Sequence, residues 1–232
     1  VSGPDMYQAP RAARLHPTDL GLVERLYFLY LDELKGHLAV APHTASLGLI
    51  TADLIGLIDN GYVTAHPKTG ALRSRRPSHG PPASPLAHTV WDRILYEEPA
   101  LPAEDWLRYW AIEDYFTAVS EQMVYRGLLH RTARRTWRGA DVVAYDRAHV
   151  TLSQGPFREL QRAFADAHHP NLTHHDLRLV AVLDALNLTR RLGVALEEAH
   201  LNAFYRHLPP PVHLLITHLR QCTGTAAMTN RT

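Results

Sequence analysis

The chain has 232 residues, 46% of them hydrophobic and 20% charged, with 24 Lys and Arg against 23 Asp and Glu and a formal net charge of +1. That length suits one large domain or two small ones, and the composition is that of a globular protein with a sizeable apolar core. The near-neutral charge excludes a molecule that grips polyanions over its whole surface; the absence of an apolar run near the roughly 20 residues of a membrane span excludes a transmembrane helix; and a single cysteine, Cys222, excludes an intramolecular disulfide and fits a reducing cytoplasm.

The opening VSGPDMYQAPRAARLHP, residues 1–17, lacks an apolar signal core and is expected to be a flexible leader. Thr18 or Asp19 then caps a first helix whose inner face carries Val23, Leu26, Tyr27 and Tyr30 and which ends near Asp32. Lys35-Gly36 makes a turn. A second helix, from about Ala45 to Asn60, is apolar nearly all round and must be buried, with Leu47, Ile50, Leu54, Leu57 and Ile58 on one stripe and one charge, Asp53, in its middle. Gly61 supplies the left-handed residue that stops it. Tyr62 to His66 reads as a strand, folded back by Pro67-Lys68-Thr69-Gly70.

A Pro-, Gly- and Ser-rich loop runs from Leu72 to Pro85, followed by a helix over Leu86–Tyr96. After Pro99–Pro102 an amphipathic segment runs from Glu104 to Arg126, kinked near Glu113 and stopped by Gly127. Leu128–Arg131 and Asp141–Tyr145 form a hairpin around TARRTWRGA. Helices over Gly155–His168, Leu177–Leu192, Ala195–Leu208 and Pro211–Ala226 complete the pattern. The fold class expected is mainly α: one helical domain over 18–227, wrapped by amphipathic helices and carrying two small β-hairpins, with a tail at 228–232.

Arginine dominates the cations, since Lys35 and Lys68 are the only lysines. Its planar fork suits phosphate and carboxylate. Two clusters stand out: Arg73, Arg75 and Arg76 in the Pro-rich loop, and Arg131, Arg134, Arg135 and Arg138 around Trp137 in the second hairpin. These seven cations and the tryptophan fit an anionic lipid surface, with the indole at headgroup level; they fit an ordinary solvated hairpin equally well. A specific nucleic-acid partner is not expected, because the helix before the hairpin presents Glu113, Asp114, Ser120, Glu121 and Gln122 rather than a basic face.

His168, His169, His174 and His175 flank Pro170-Asn171 and read as a surface turn, since adjacent histidines point apart and ligand pairs on a helix sit four residues apart. The Asn171-Leu172-Thr173 sequon carries no argument without a secretory signal. The serines at Ser46 and Ser153 lack a nucleophile elbow, and no phosphate loop or dinucleotide fingerprint occurs. No metal and no cofactor are expected.

The order ERLYFLYLDELKG, LGLITADLIGLIDNGYV, a Pro-rich basic loop, AVSEQMVYRGLL, a hairpin ending VVAYD, and DLRLVAVLDALNLTRRL resembles the Golgi phosphoprotein family, the phosphoinositide-binding Golgi adaptors and their bacterial relatives. The resemblance runs from Leu20 to Leu192, and more loosely to Ala227, with Gly36, Gly48, Gly61 and Gly127 where the family has glycines. It implies a helical bundle. It also implies a lipid-phosphate site, whose aromatic falls at Ala41 and whose arginines fall at Ile50, Glu113 and Phe116. A phosphate needs donors and positive charge, and these four residues offer neither, so phosphatidylinositol 4-phosphate binding does not carry over.

Two functions follow. The first is a non-catalytic cytoplasmic adaptor with an unidentified protein partner, touching the inner membrane face through Arg73, Arg75, Arg76, Arg134, Arg135, Trp137 and Arg138. The alternative is a pocket lined by Ala41, Ile50, Glu113 and Phe116 that takes a small apolar molecule. In that pocket Glu113, with Asp53 or His43 as further candidates, would act as acid or base.

Overall fold

Most helices of the fold pack against one central helix. In the computed structural model, which describes residues 19–32, 38–77, 79–135, 141–164, 172–192 and 198–229, α2 (Pro42–Asp59) runs through the middle of the molecule. It packs against α1 (Leu22–Tyr30), α3 (Pro85–Tyr96), α4 (Ala103–Ile112), α5 (Tyr115–Tyr125), α7 (His174–Ala185) and α9 (Pro210–Thr229). Leu49, Ile50, Leu54 and Ile55 are fully buried on different sides of it, as an all-round apolar sequence requires. Each such side chain contributes about 1.5–3 kcal/mol. The helix starts three residues before the expected Ala45, because Pro42 occupies its first turn, where a missing N–H costs nothing.

The helix ends follow from left-handed residues. Gly61 (φ 74°) lies just past α2; its N–H bonds Ile58 O at 3.0 Å while Tyr62 N–H reaches Leu57 O at 2.8 Å. That double bond pattern is a Schellman motif. Gly127 (φ 73°) repeats it after α5, with Gly127 N to Val124 O and Leu128 N to Met123 O both at 2.9 Å. Asn187 (φ 57°) repeats it again after α7, so the helix expected over Leu177–Leu192 begins earlier and stops at Ala185, followed by a short 3-10 turn at Thr189–Leu192. The early start of α7 comes from a capping box between Thr173 and Asp176.

Two antiparallel hairpins are present. β1 (Val63–Ala65) pairs with β2 (Leu72–Ser74) in the register Val63↔Ser74 to Ala65↔Leu72, so the expected loop loses its first three residues to a strand. β3 (Leu129–Arg135) and β4 (Asp141–Arg147) pair from Leu129↔Arg147 to Arg135↔Asp141. The segment expected as one kinked helix is two: Asp114, at φ 55°, ends α4 and caps α5 through Thr117, whose hydroxyl donates to its Oδ2 at 2.6 Å. α6 (Val150–Ala163) starts five residues before the expected Gly155 and carries Pro156 in its interior. An interior proline costs about 3 kcal/mol; here burial of Leu152, Gly155, Pro156 and Leu160 against the core offsets it. α8 (Glu198–Arg206) and α9 close the bundle.

The molecule is therefore mainly α with two small two-stranded sheets. Among the described residues no helix is long and apolar enough to cross a membrane. The expected leader at 1–17 lies outside the described residues.

Candidate functional site

Phe116, in the first turn of α5, is the residue from which the site is built. Its backbone N–H donates to Ser46 Oγ of α2 at 3.0 Å, and its carbonyl accepts from Ser120 Oγ at 2.8 Å. Tyr27 of α1 stacks on its ring, centroids 5.3 Å apart and planes 4° apart. Tyr27 Oη in turn lies 2.9 Å from Ser120 Oγ. The two hydrogen bonds fix the Phe116 backbone and the stacking on Tyr27 orients its ring, which also lines a hollow.

That hollow, about 540 Å³, lies between α1, the start of α2, α5 and the β3–β4 hairpin. Its apolar walls are Tyr27, Leu31, Leu38, Pro42, Phe116, Val143 and Tyr145; Asp114, Glu121, Asp146 and Arg131 line it as well. Tyr145 Oη donates to Glu121 Oε1 at 2.8 Å, and Arg131 Nε lies 3.7 Å from the same oxygen. The Tyr145 hydroxyl is pushed up to about 12, chiefly by burial and then by the Glu121 carboxylate that accepts its hydrogen bond.

The expected set does not gather here as a set. Phe116 lines the hollow. Ala41 is exposed at the N-cap of α2, one residue before the lining Pro42. Ile50 is sealed in the core at 0% exposure and is not among the residues that line the hollow. Glu113 is exposed, as the residue that caps α4, and does not line the hollow. The acid or base expected of Glu113 is thereby corrected: an exposed carboxylate outside the hollow has no desolvated site in which to act. The cause is the left-handed Asp114, which breaks the helical phase linking Glu113 to Phe116. Tyr27, Ser46, Ser120 and Tyr145 were not legible as site residues, because each acts through a partner far away in the chain.

Asp53 and His43 do not form a pair. His43 is exposed in the first turn of α2, ten residues and about 15 Å along the helix from Asp53. Asp53 is buried and accepts a hydrogen bond from Tyr115 Oη. Burial raises its carboxyl from 3.8 to about 6; the Tyr115 bond opposes that rise and the Glu24 charge adds to it. Both carboxylates border a second, more polar cleft of about 700 Å³, with Asp59, His174, His175, His207 and Arg178 at its edges. Glu24 is held by Arg126, and Arg178 grips Asp59 with two nitrogens at 2.6 and 2.7 Å. Among the described residues no group of three or more His, Cys, Asp or Glu side chains stands close enough to hold a metal ion; His168 and His169 lie outside them.

Of the expected membrane-facing residues, Arg73, Arg75 and Arg76 are exposed, and among the described residues no carboxylate pairs with them. Their backbone is anchored: Arg75 N–H donates to Tyr62 O at 2.7 Å, and Trp91 Nε1 donates to Arg75 O at 2.9 Å. Arg134 and Arg135 lie in β3; their side chains, with Trp137 and Arg138, lie outside the described residues.

Fold and site together define a mainly α protein built on one buried helix, with an aromatic hollow on its flank and a fixed arginine cluster on its surface. Comparison with protein families is more specific: the model of Golgi phosphoprotein 3 (GPP34) matches residues 22–212, and the chain belongs to that family. No curated protein matches the chain.

Proposed function

We propose that this member of the Golgi phosphoprotein family is a non-catalytic binding protein, an adaptor that makes peripheral contact with an anionic membrane on its cytoplasmic face. It does so through surface arginines and without a phosphate cage. The observation that carries the reading is the cluster Arg73, Arg75 and Arg76, exposed, without carboxylate partners among the described residues, and presented from a backbone tied to Tyr62 and Trp91. A basic residue near an anionic surface contributes about 1 kcal/mol, so these three provide about 3 kcal/mol, roughly a hundredfold in partitioning. The basic hairpin at Arg134, Arg135, Trp137 and Arg138 would add to this if it shares the same face. The hollow beside Phe116 supports the absence of a phosphate cage, since Arg131 is its one described cation and Glu121 stands against it.

Sedimentation with vesicles tests the reading. The chain is expected to pellet with phosphatidylserine-containing vesicles at low salt and to be released at high salt. No pelleting on anionic vesicles at low salt overturns it.

A further inference from the structure

The hollow beside α5 selects its occupant by wall chemistry and by charge. Phe116 and Tyr145 meet nearly at right angles, centroids 6.5 Å apart and planes at 81°, which makes an aromatic corner. Both rings are partly exposed, and both line the hollow. Ring faces carry negative potential and attract cations, most of all cations that shed water easily. Glu121 is fixed at the edge of this corner by the Tyr145 hydroxyl, and Asp114 stands on the same rim.

The opposing charge is slight. Arg131 is the only described cation lining the hollow; it and Glu121, 3.7 Å away, are both well exposed, and solvent screens most of the attraction in such an exposed pair. Asp146 accepts from Thr132 Oγ1 at 2.8 Å and has a further partner, so it does not enter the comparison. Two carboxylates then face one guanidinium. Tyr145 registers the same sign, since the charges of Glu121 and Asp114 both raise its hydroxyl while Arg131 lowers it. A phosphate would meet one cation and two like charges here. A neutral apolar molecule would use the rings and leave the carboxylates without a counter-charge.

We propose that this hollow binds an organic ammonium ion carrying methyl groups, its cationic end in the Phe116–Tyr145 corner and Glu121 as its counter-charge. A volume of about 540 Å³ accommodates such a group, as small-molecule sites span about 300–1,000 Å³. The cation is the same whether it is free in solution or ends a choline lipid, and the proposal stands independently of the arginine cluster.

Calorimetric titration of the 232-residue chain with choline, with its uncharged isostere 3,3-dimethylbutan-1-ol and with inorganic phosphate tests it. Choline is expected to bind saturably, the isostere about tenfold or more weaker, and phosphate not at all. Glu121→Gln keeps an acceptor for Tyr145 and is expected to weaken choline about tenfold with an unchanged melting temperature. Phe116→Leu is expected to do the same, and should it unfold the chain, Glu121→Gln decides. Pelleting with phosphatidylcholine vesicles that is blocked by tetramethylammonium assigns the cation to lipid. Choline binding without pelleting assigns it to the free ion, and either outcome supports the proposal. No saturable binding up to about 10 mM choline, equal binding of the isostere, or an unchanged affinity in Glu121→Gln overturns it.

Discussion

The Tyr30 hydroxyl rests on the backbone of Gly48, so close that a Cβ built there would lie 1.8 Å from Oη and 2.7 Å from Leu186 Cδ1. Tyr30 is fully buried, and its hydroxyl has no hydrogen-bond partner among the described residues. This contact sets the approach of α1 to α2. Gly48→Ala would gain up to about 1 kcal/mol of helix propensity, but the overlap is with a ring in a sealed core, and forcing it apart costs about 1–3 kcal/mol or more. Net destabilisation in urea denaturation is the expected result. Tyr30→Phe discards a buried unpaired hydroxyl and should be nearly neutral. The two changes together are expected to cost less than their sum. Strict additivity would show that the hydroxyl does not set the approach.

Asp53 should make stability fall as pH rises. Its folded carboxyl stands at about 6 against an ordinary 3.8. The native state therefore binds the proton more tightly than the unfolded chain, and the contribution is greatest below 3.8 and lost as pH climbs through 6. The span corresponds to about 3 kcal/mol. Asp53→Asn is expected to stabilise at pH 7–8 and to remove this part of the slope of unfolding free energy between pH 4 and 6. A slope the same in both proteins would contradict it. Tyr115→Phe, which deletes the donor to the carboxylate, is expected to push the Asp53 carboxyl higher still.

Arg25 joins three helices. From α1 it pairs with Glu159 of α6 and, at 3.5 Å, with Asp176 of α7, and only 11% of its side chain is exposed. Removing one partner of a buried ionic network costs up to about 3–5 kcal/mol; here Asp176, 9% exposed, would stay buried without Arg25, while Glu159, 26% exposed, keeps some contact with water. Arg25→Ala is expected to lose an amount of this order in denaturant unfolding, with little dependence on salt. A loss below about 1 kcal/mol would place the pairs in effective contact with water.

Replacing Arg73, Arg75 and Arg76 together by Ala should leave stability within about 0.5 kcal/mol, as these side chains are exposed and have no carboxylate partner among the described residues. Vesicle partitioning should fall about a hundredfold, and its dependence on salt should become shallower. Glu113→Ala is a companion control. With its side chain outside the hollow, it should change neither stability nor choline binding, and a clear effect on binding would return Glu113 to the site.

Much of the fold was legible because its causes are local. Gly61 and Gly127 adopt the positive φ that only glycine takes without strain, and the helix stops there. Asn187 does the same and could have been read so, since asparagine tolerates that region. The burial of α2 follows from an apolar circumference that no single face could satisfy. The hidden start of α6 has the opposite origin: Pro156 looks like a first-turn proline, and only packing against the core lets a helix continue through it.

The sequence by itself determined a mainly helical fold about one apolar helix, expected from Ala45 to Asn60 and found over Pro42–Asp59, and the glycine stops at Gly61 and Gly127. Tertiary structure alone decided which residues form the hollow. In one continuous helix Glu113 and Phe116, three residues apart, would share a face. Asp114, left-handed at φ 55°, resets the phase, so Phe116 stacks on Tyr27 from another helix while Glu113 turns to solvent. Such a site depends on contacts between residues distant in the chain, Tyr27 with Phe116 and Glu121 with Tyr145, and periodicity along one segment carries no record of what another segment will bring against it.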